Sequence, residues 1–186
     1  MRTFAALIKT SMFVGGATFL GVALAAGQGS GLVTLEGQLV DSACALESSS
    51  AHQLIEMDVT AMGQLIRQGA SVPHPFSLRL VKCSLSRSDP SRPGNYLPDW
   101  QHVRVTFEGR VDSASALFST EGTSEGIALR IADSQGRTST SGVPMPLTPL
   151  TGEDQELRYT LQLVGNGRPM AVGSHRTAVR FRLEYF

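Results

Sequence analysis

Two cysteines, Cys44 and Cys83, are the side chains in this 186-residue sequence whose type and number point most directly to covalent chemistry. Two thiols permit one intramolecular bridge, and a chain that leaves the reducing cytosol is expected to close it. Closing a loop of about 40 residues removes chain entropy from the unfolded state worth roughly 4 kcal/mol. Two buried free thiols are the alternative. A metal would need further ligands, and His52, His74, His102 and His175 stand apart, with neither i,i+4 nor CxxC-type spacing. No metal or cofactor site is assigned. Hydrolytic chemistry has equally little support. No G-x-S-x-G elbow occurs. Asp133 beside Ser134 reads as a turn, Glu153 and Asp154 as loop residues, and His102 as a rim residue opening a strand. Paired carboxylates hydrolyse only when apposed in space. The run Ala26-Gly-Gln-Gly-Ser-Gly31 has glycine spacing faintly like a phosphate loop, but no strand precedes it and no Lys-Ser/Thr follows. It reads as a tail, no catalytic residue is assigned, and the chain is not expected to be an enzyme.

The elements that would position any site begin after a leader. Arg2 and Lys9 precede a mostly apolar run, Thr10 to Leu24, and Ala23-Leu24-Ala25 has the small-x-small form of a cleavage site. Residues 1–25 are therefore expected to be a secretory signal peptide, cut after Ala25 or Ala26. A retained membrane anchor is the alternative, for which the apolar run is short. Setting aside Arg2 and Lys9 leaves 14 basic against 16 acidic residues, a net charge of −2. With no basic excess, no nucleic-acid partner is expected.

Beyond the leader, side chains alternate with a period of two. Val33, Leu35, Gly37 and Leu39 form one such set, and Ile55, Met57 and Val59 a second. Phe76 to Leu80, Val103 to Phe107, Ile127 to Ile131, Leu157 to Leu163 and Val179 to Tyr185 give five more. The pattern predicts seven half-buried strands in antiparallel sheets with one wet face. Parity slips between Leu80 and Cys83, which predicts a bulge or strong twist near Val81. Ser48-Ser-Ser50, Ser88 to Gly94, Asp133 to Gly136 and Gly165-Asn-Gly167 carry turn chemistry. Ala61 to Gln68 fits one or two helical turns. The architecture is expected to be an all-β sandwich of about 160 residues.

The final strand keeps an apolar face to Tyr185, and Phe186 follows it. Such an edge invites association unless something pairs with it. At the other end Gly31, Val33 and Leu35 share one face of a strand. The two features suit strand addition between chains; two strands inside one ordinary sandwich are the alternative.

Several of these segments resemble the pilins of chaperone–usher fimbriae. Gly37-Gln-Leu-Val-Asp-Ser-Ala-Cys44 is similar to their G-x-[VIL]-x-x-x-x-C opening, and Pro75 to Cys83 to their F-x-[IL]-x-L-x-x-C segment. Val103 to Gly109 resembles V-x-V-x-F-x-G, and Gly126 to Asp133 with Gly136 resembles G-[IV]-x-[IL]-x-[IL]-x-D-x-x-G. Phe181 to Tyr185 resembles the closing strand with its penultimate Tyr. Together these span about residues 31–186. Within the family, Gly142 to Gly152, Leu157 to Leu161 and Val164 to Gly167 resemble the minor, terminating or anchoring kind of subunit found in P pili. The short glycine-rich N-terminus is like that of ordinary chain-extending or adaptor pilins.

The resemblance implies an incomplete immunoglobulin-like β-sandwich, completed by a donated strand. It implies residues 26–36 as a donor-strand extension and residues 37–186 as the pilin domain. Gly31, Val33 and Leu35 would form the donor face. Val179, Phe181, Leu183, Tyr185 and Phe186 would line or flank the acceptor groove and meet the chaperone, with the carboxylate after Phe186 held by a basic anchor. A Cys44–Cys83 bridge would tie the first strand to the third. Expected partners are a periplasmic chaperone, an outer-membrane usher and neighbouring pilins. The expected route runs through the periplasm to a fimbrium on the surface of a Gram-negative cell, with cell adhesion as the setting. A free-standing secreted β-sandwich binding module is a further alternative.

Overall fold

A computed structural model describes residues 32–37 and 39–186. The expected signal peptide, the glycine-rich tail including Gly31, and Gln38 lie outside the described residues. Residues 40–186 form one compact unit. Its strands are β1 (Ala45–Leu46), β2 (His74–Val81), β3 (Arg87–Ser88), β4 (Tyr96–Leu97), β5 (His102–Gly109) and β6 (Phe118–Ser119). They continue with β7 (Glu121–Gly122), β8 (Ile127–Asp133), β9 (Thr148–Pro149), β10 (Gln155–Gly165), β11 (His175–Arg176) and β12 (Val179–Tyr185). Two short helices, α1 (Ser48–Ala51) and α2 (Met62–Gln68), complete the unit.

The alternating sequence sets explain the layers. One antiparallel sheet has the order β1-β2-β10-β8-β6 and a second has the order β12-β5-β9. The inward positions of the first (Leu78, Leu80, Leu129, Ile131, Leu157, Tyr159, Leu161) meet Val103, Val105 and Phe107 of the second in one core. Phe107 stands edge-on to Tyr159 at 5.0 Å and to Phe76 at 6.2 Å between ring centroids, so three aromatic rings join the two sheets. Full burial raises the Tyr159 phenol well above its ordinary pKa, and the nearby Asp133 charge adds to this.

Five of the seven predicted strands form. The exceptions are the sets around Val33–Leu39 and Ile55–Val59, which belong to no ladder. Ile55 and Met57 keep the predicted inward alternation, but Val59 is 103% exposed. Period-two patterning marks a segment suited to a sheet; a ladder also needs a neighbouring strand, and among the described residues these two sets have none. The predicted helix near residues 61–68 forms as α2. It ends at Gly69, whose φ of +74° and N–H bond to the Leu65 carbonyl make a left-handed cap. Ser48-Ser-Ser50, read as a turn, instead winds into the single turn of α1, with the Ser50 hydroxyl accepting the Arg79 N–H at 3.0 Å.

The parity slip after Leu80 has a cause other than a bulge. β2 stays in register to Val81, opposite Ala45, and Lys82 then adopts φ +53°. The Asp154 carboxylate accepts the Lys82 N–H at 2.9 Å and stabilises this left-handed residue. Cys83 is thereby brought round to Cys44, and the two form the disulfide. No strand forms at the described residues of the first predicted set, so the bridge joins the segment just ahead of β1 to the end of β2.

The turn after β8 is held by Asp133, whose carboxylate accepts the N–H groups of Gln135 and Arg137, both at 2.9 Å, and pairs with the Arg137 guanidinium at 2.6 Å. Burial acts to raise this carboxyl, but the Arg137 and Gln135 contacts outweigh it and hold Asp133 below the ordinary carboxylate range. Its contribution to stability is therefore complete above the unfolded-state pKa and is lost as pH falls through the lower folded-state value. Asp133→Asn is expected to cost about 1.5–3 kcal/mol at neutral pH. In urea unfolding at a series of pH values, the loss should shrink under acid, where both proteins carry a neutral side chain.

Candidate functional site: an apolar groove between two unpaired edges

In the second sheet β5 is covered on both sides. One side pairs with β12 from Val179 opposite Gly109 to Tyr185 opposite Val103. The other meets β9, with Met145 N–H bonding the Val105 carbonyl and Gly142 N–H that of Phe107, both at 2.8 Å. β12 has β5 as its only partner, so its outer edge presents backbone groups to no strand among the described residues. The segment 53–60 is a second unpaired stretch. It is anchored at one end by the Gln53 side-chain amide, which donates to the Ser77 carbonyl at 2.8 Å, and at the other by α2, whose Leu65 is buried.

Both unpaired stretches border one groove of about 1080 Å3. Ile55 and Met57 of the one stretch and Val179 and Phe181 of the other line it. Phe76, Leu78, Phe107, Leu129, Ile131 and Leu161 of the sandwich interior form the floor. At the far end the floor continues over Leu65, Ile127, Leu163 and Met170. That end depends on glycine: Gly126, at φ +76°, passes so close to the Pro169–Met170 backbone that a Cβ would collide with the Pro169 carbonyl. The groove thus opens directly onto the sandwich core, and its chemistry is that of a place for apolar side chains flanked by free backbone donors and acceptors.

The expected acceptor residues divide between two places. Val179 and Phe181 line the groove. Leu183 is half-buried and packs on the core. Tyr185 and Phe186 border a separate cleft of about 490 Å3 with Arg87 and Trp100. There the Tyr185 ring stands edge-on to Trp100 at 6.1 Å, its hydroxyl donates to the Cys44 carbonyl at 3.4 Å, and burial raises its pKa. The Arg104 guanidinium lies over the Phe186 ring at 4.5 Å, and the Phe186 terminal oxygen accepts the N–H groups of Gln101 and His102. Of the expected donor residues, Val33 and Leu35 are 93% and 95% exposed. Gly31 lies outside the described residues.

The sequence reading missed the lining at Ile55–Met57 and the floor at Leu65, Leu163 and Met170 as parts of this site. The alternation around Ile55 was the available signal, since a patterned segment with no partner strand is where a missing strand would show.

No family model matches the chain. Over 155 residues it is 36% identical to the PRS fimbrial minor pilin protein of Escherichia coli, covering 83% of this chain and 77% of that one. The PAP fimbrial minor pilin protein of the same species is 35% identical over the same shares. Among solved structures, the P pilus rod subunit PapA superposes with a TM-score of 0.65 over 78% of this chain and 100% of its own, at 20% identity. A chaperone–usher pilus subunit, in a structure concerned with rod uncoiling, gives 0.65 over 86% of this chain and 97% of its own, at 24% identity. At these identities the structural likenesses show the fold.

Free edges have a measurable signature in backbone exchange. In hydrogen–deuterium exchange of residues 40–186, the amides of 53–60 and alternate amides of β12 should exchange quickly, while β8 and β10 stay protected. Equal protection of β12 on both edges would contradict the described geometry.

Proposed function

The chain belongs to the pilin family of chaperone–usher fimbriae, and from that premise we propose that it is a minor subunit completed by a β-strand lent from another polypeptide. As a member of this family it is a structural subunit of a surface fimbrium in Gram-negative bacteria and associates with other pilins. The observation that carries the finer reading is the pair of unpaired backbone stretches, β12 and 53–60, bordering one apolar groove. A strand seated there would bond to free backbone on either side and place alternate side chains on Phe76, Phe107 and Phe181. Left empty, the groove exposes apolar surface and free backbone together, a hazard for a secreted protein.

In this reading a periplasmic chaperone fills the groove first, and the extension of the next subunit replaces its strand at the usher. The carboxylate after Phe186 would meet the chaperone's basic anchor. This chain's own residues Gly31, Val33 and Leu35 would be the face it lends to a neighbour, with Val33 and Leu35 contributing about 3–6 kcal/mol on burial.

A terminating or anchoring position is supported by the similarity to proteins named minor pilins. A chain-extending or adaptor role is a second reading, favoured by the groove's continuation past Val179 to Leu163 and Met170, which offers an incoming strand a place to start.

Three outcomes are expected. Val33→Asp or Leu35→Asp should impair insertion of this subunit's extension into the preceding pilin in a strand-exchange assay. Deleting residues 179–186 should abolish co-purification with the chaperone; retention would sink the acceptor assignment. Incubating the chaperone-bound subunit with pilin extension peptides separates the two roles, since exchange marks an extending subunit and refusal a terminator.

A further inference from the structure

Four methionines fall among the described residues, and three of them line the groove. Met145, the fourth, is 6% exposed in the core. Met57 stands on the unpaired stretch 53–60, half-buried. Met62 opens α2 and is 39% exposed. Met170 lies against the backbone of β10 at Gly165, where an added Cβ would stand 2.7 Å from its terminal methyl carbon. Met57 and Met170 both pack on Leu65, Ile127 and Leu163, so two thioethers and three aliphatic side chains form the apolar cluster at this end of the groove, with Ser124 and Glu125 also on its lining.

We propose that this cluster is an oxidant-sensitive modification site: sulfoxide formation at Met57 and Met170 disables the groove, and a seated strand shields it. The inference rests on the strand-acceptor reading above. A thioether is apolar and flexible, and conforms to whatever side chain an incoming strand places on it. The sulfoxide is polar and chiral. The side chains of Leu65, Ile127 and Leu163 that pack on both methionines offer its oxygen no hydrogen-bond donor, so covering it with a strand costs the desolvation of a polar group where an apolar one stood. The chemistry balances with a peroxide as oxidant. Hydrogen peroxide transfers one oxygen atom to sulfur, the sulfur is oxidised by two electrons, and the remaining oxygen leaves as water. Strand insertion would hide the sulfur atoms, so vulnerability is confined to the interval before a strand is in place. Met145 serves as an internal reference, since core packing buries it with or without a strand.

The test oxidises the refolded mature chain, free and in complex with its co-expressed chaperone, with hydrogen peroxide. Peptide mass mapping locates the sulfoxides, and size-exclusion chromatography then measures capture of chaperone by the free chain. Met57, Met62 and Met170 are expected to oxidise before Met145 in the free chain and to be protected in the complex. Capture should fall by about tenfold or more. The variant carrying Met57→Leu, Met62→Leu and Met170→Leu, which nearly conserves volume, should capture chaperone equally well before and after peroxide. Wild-type protein carrying sulfoxide at Met57 and Met170 yet capturing chaperone undiminished overturns the inference, as does oxidation of Met145 ahead of the groove residues; neither result needs the variant to fold. Untreated chain that captures no chaperone overturns the strand-acceptor reading itself.

Discussion

The constraint on which this molecule depends is that backbone N–H and C=O groups beside an apolar interior must find partners. In the second sheet β5 meets that requirement on both sides, through β12 and through the stretch from Gly142 to β9. Among the described residues β12 meets it on one side only. The same deficit appears along 53–60, and the aromatic floor of Phe76 and Phe107 lies open beside them. Apolar exposure alone could be relieved by a side chain folding over it. Open backbone edges and apolar floor together are relieved by one kind of object, an extended chain.

Much of this was legible from residue order. The alternation at Phe76–Leu80, Val103–Phe107, Ile127–Ile131, Leu157–Leu163 and Val179–Tyr185 fixes which side chains face the core, because inward and outward positions trade places at every residue. The leader expected at residues 1–25 and the cysteine count pointed to the Cys44–Cys83 bridge. The groove was legible only in part. Val179 and Phe181 belong to a strand whose pattern is plain, whereas Leu65 on α2 and Met170 after β10 reach the groove through helix and loop geometry that no periodicity encodes. Period two at Ile55–Met57 identified a segment suited to a sheet without revealing that no strand pairs with it among the described residues, since a pattern describes a segment and pairing describes two.

The slip after Leu80 shows a similar division. Parity located a disturbance correctly, but a bulge and a left-handed residue leave the same trace in sequence. The distinction rests on the Asp154 carboxylate meeting the Lys82 amide, a contact across 72 residues that local reasoning does not reach. At Asp133 the turn was legible because its carboxylate bonds to amides two and four residues on, within the span a local pattern describes.

The position of the disulfide bears on how such a subunit would carry load. Cys44 lies four residues past Val40, where the compact unit begins, and Cys83 lies just past β2, which borders β10 in the larger sheet. A pull on the chain ahead of Val40, as when a neighbour grips it, would meet the Asp41–Arg87 ion pair and then, at Cys44, the first covalent link to the body. It would then pass through that link to the end of β2, beside the central strand β10, instead of unzipping the two-residue β1 bond by bond. The tensile path through the body would thus bypass that short ladder.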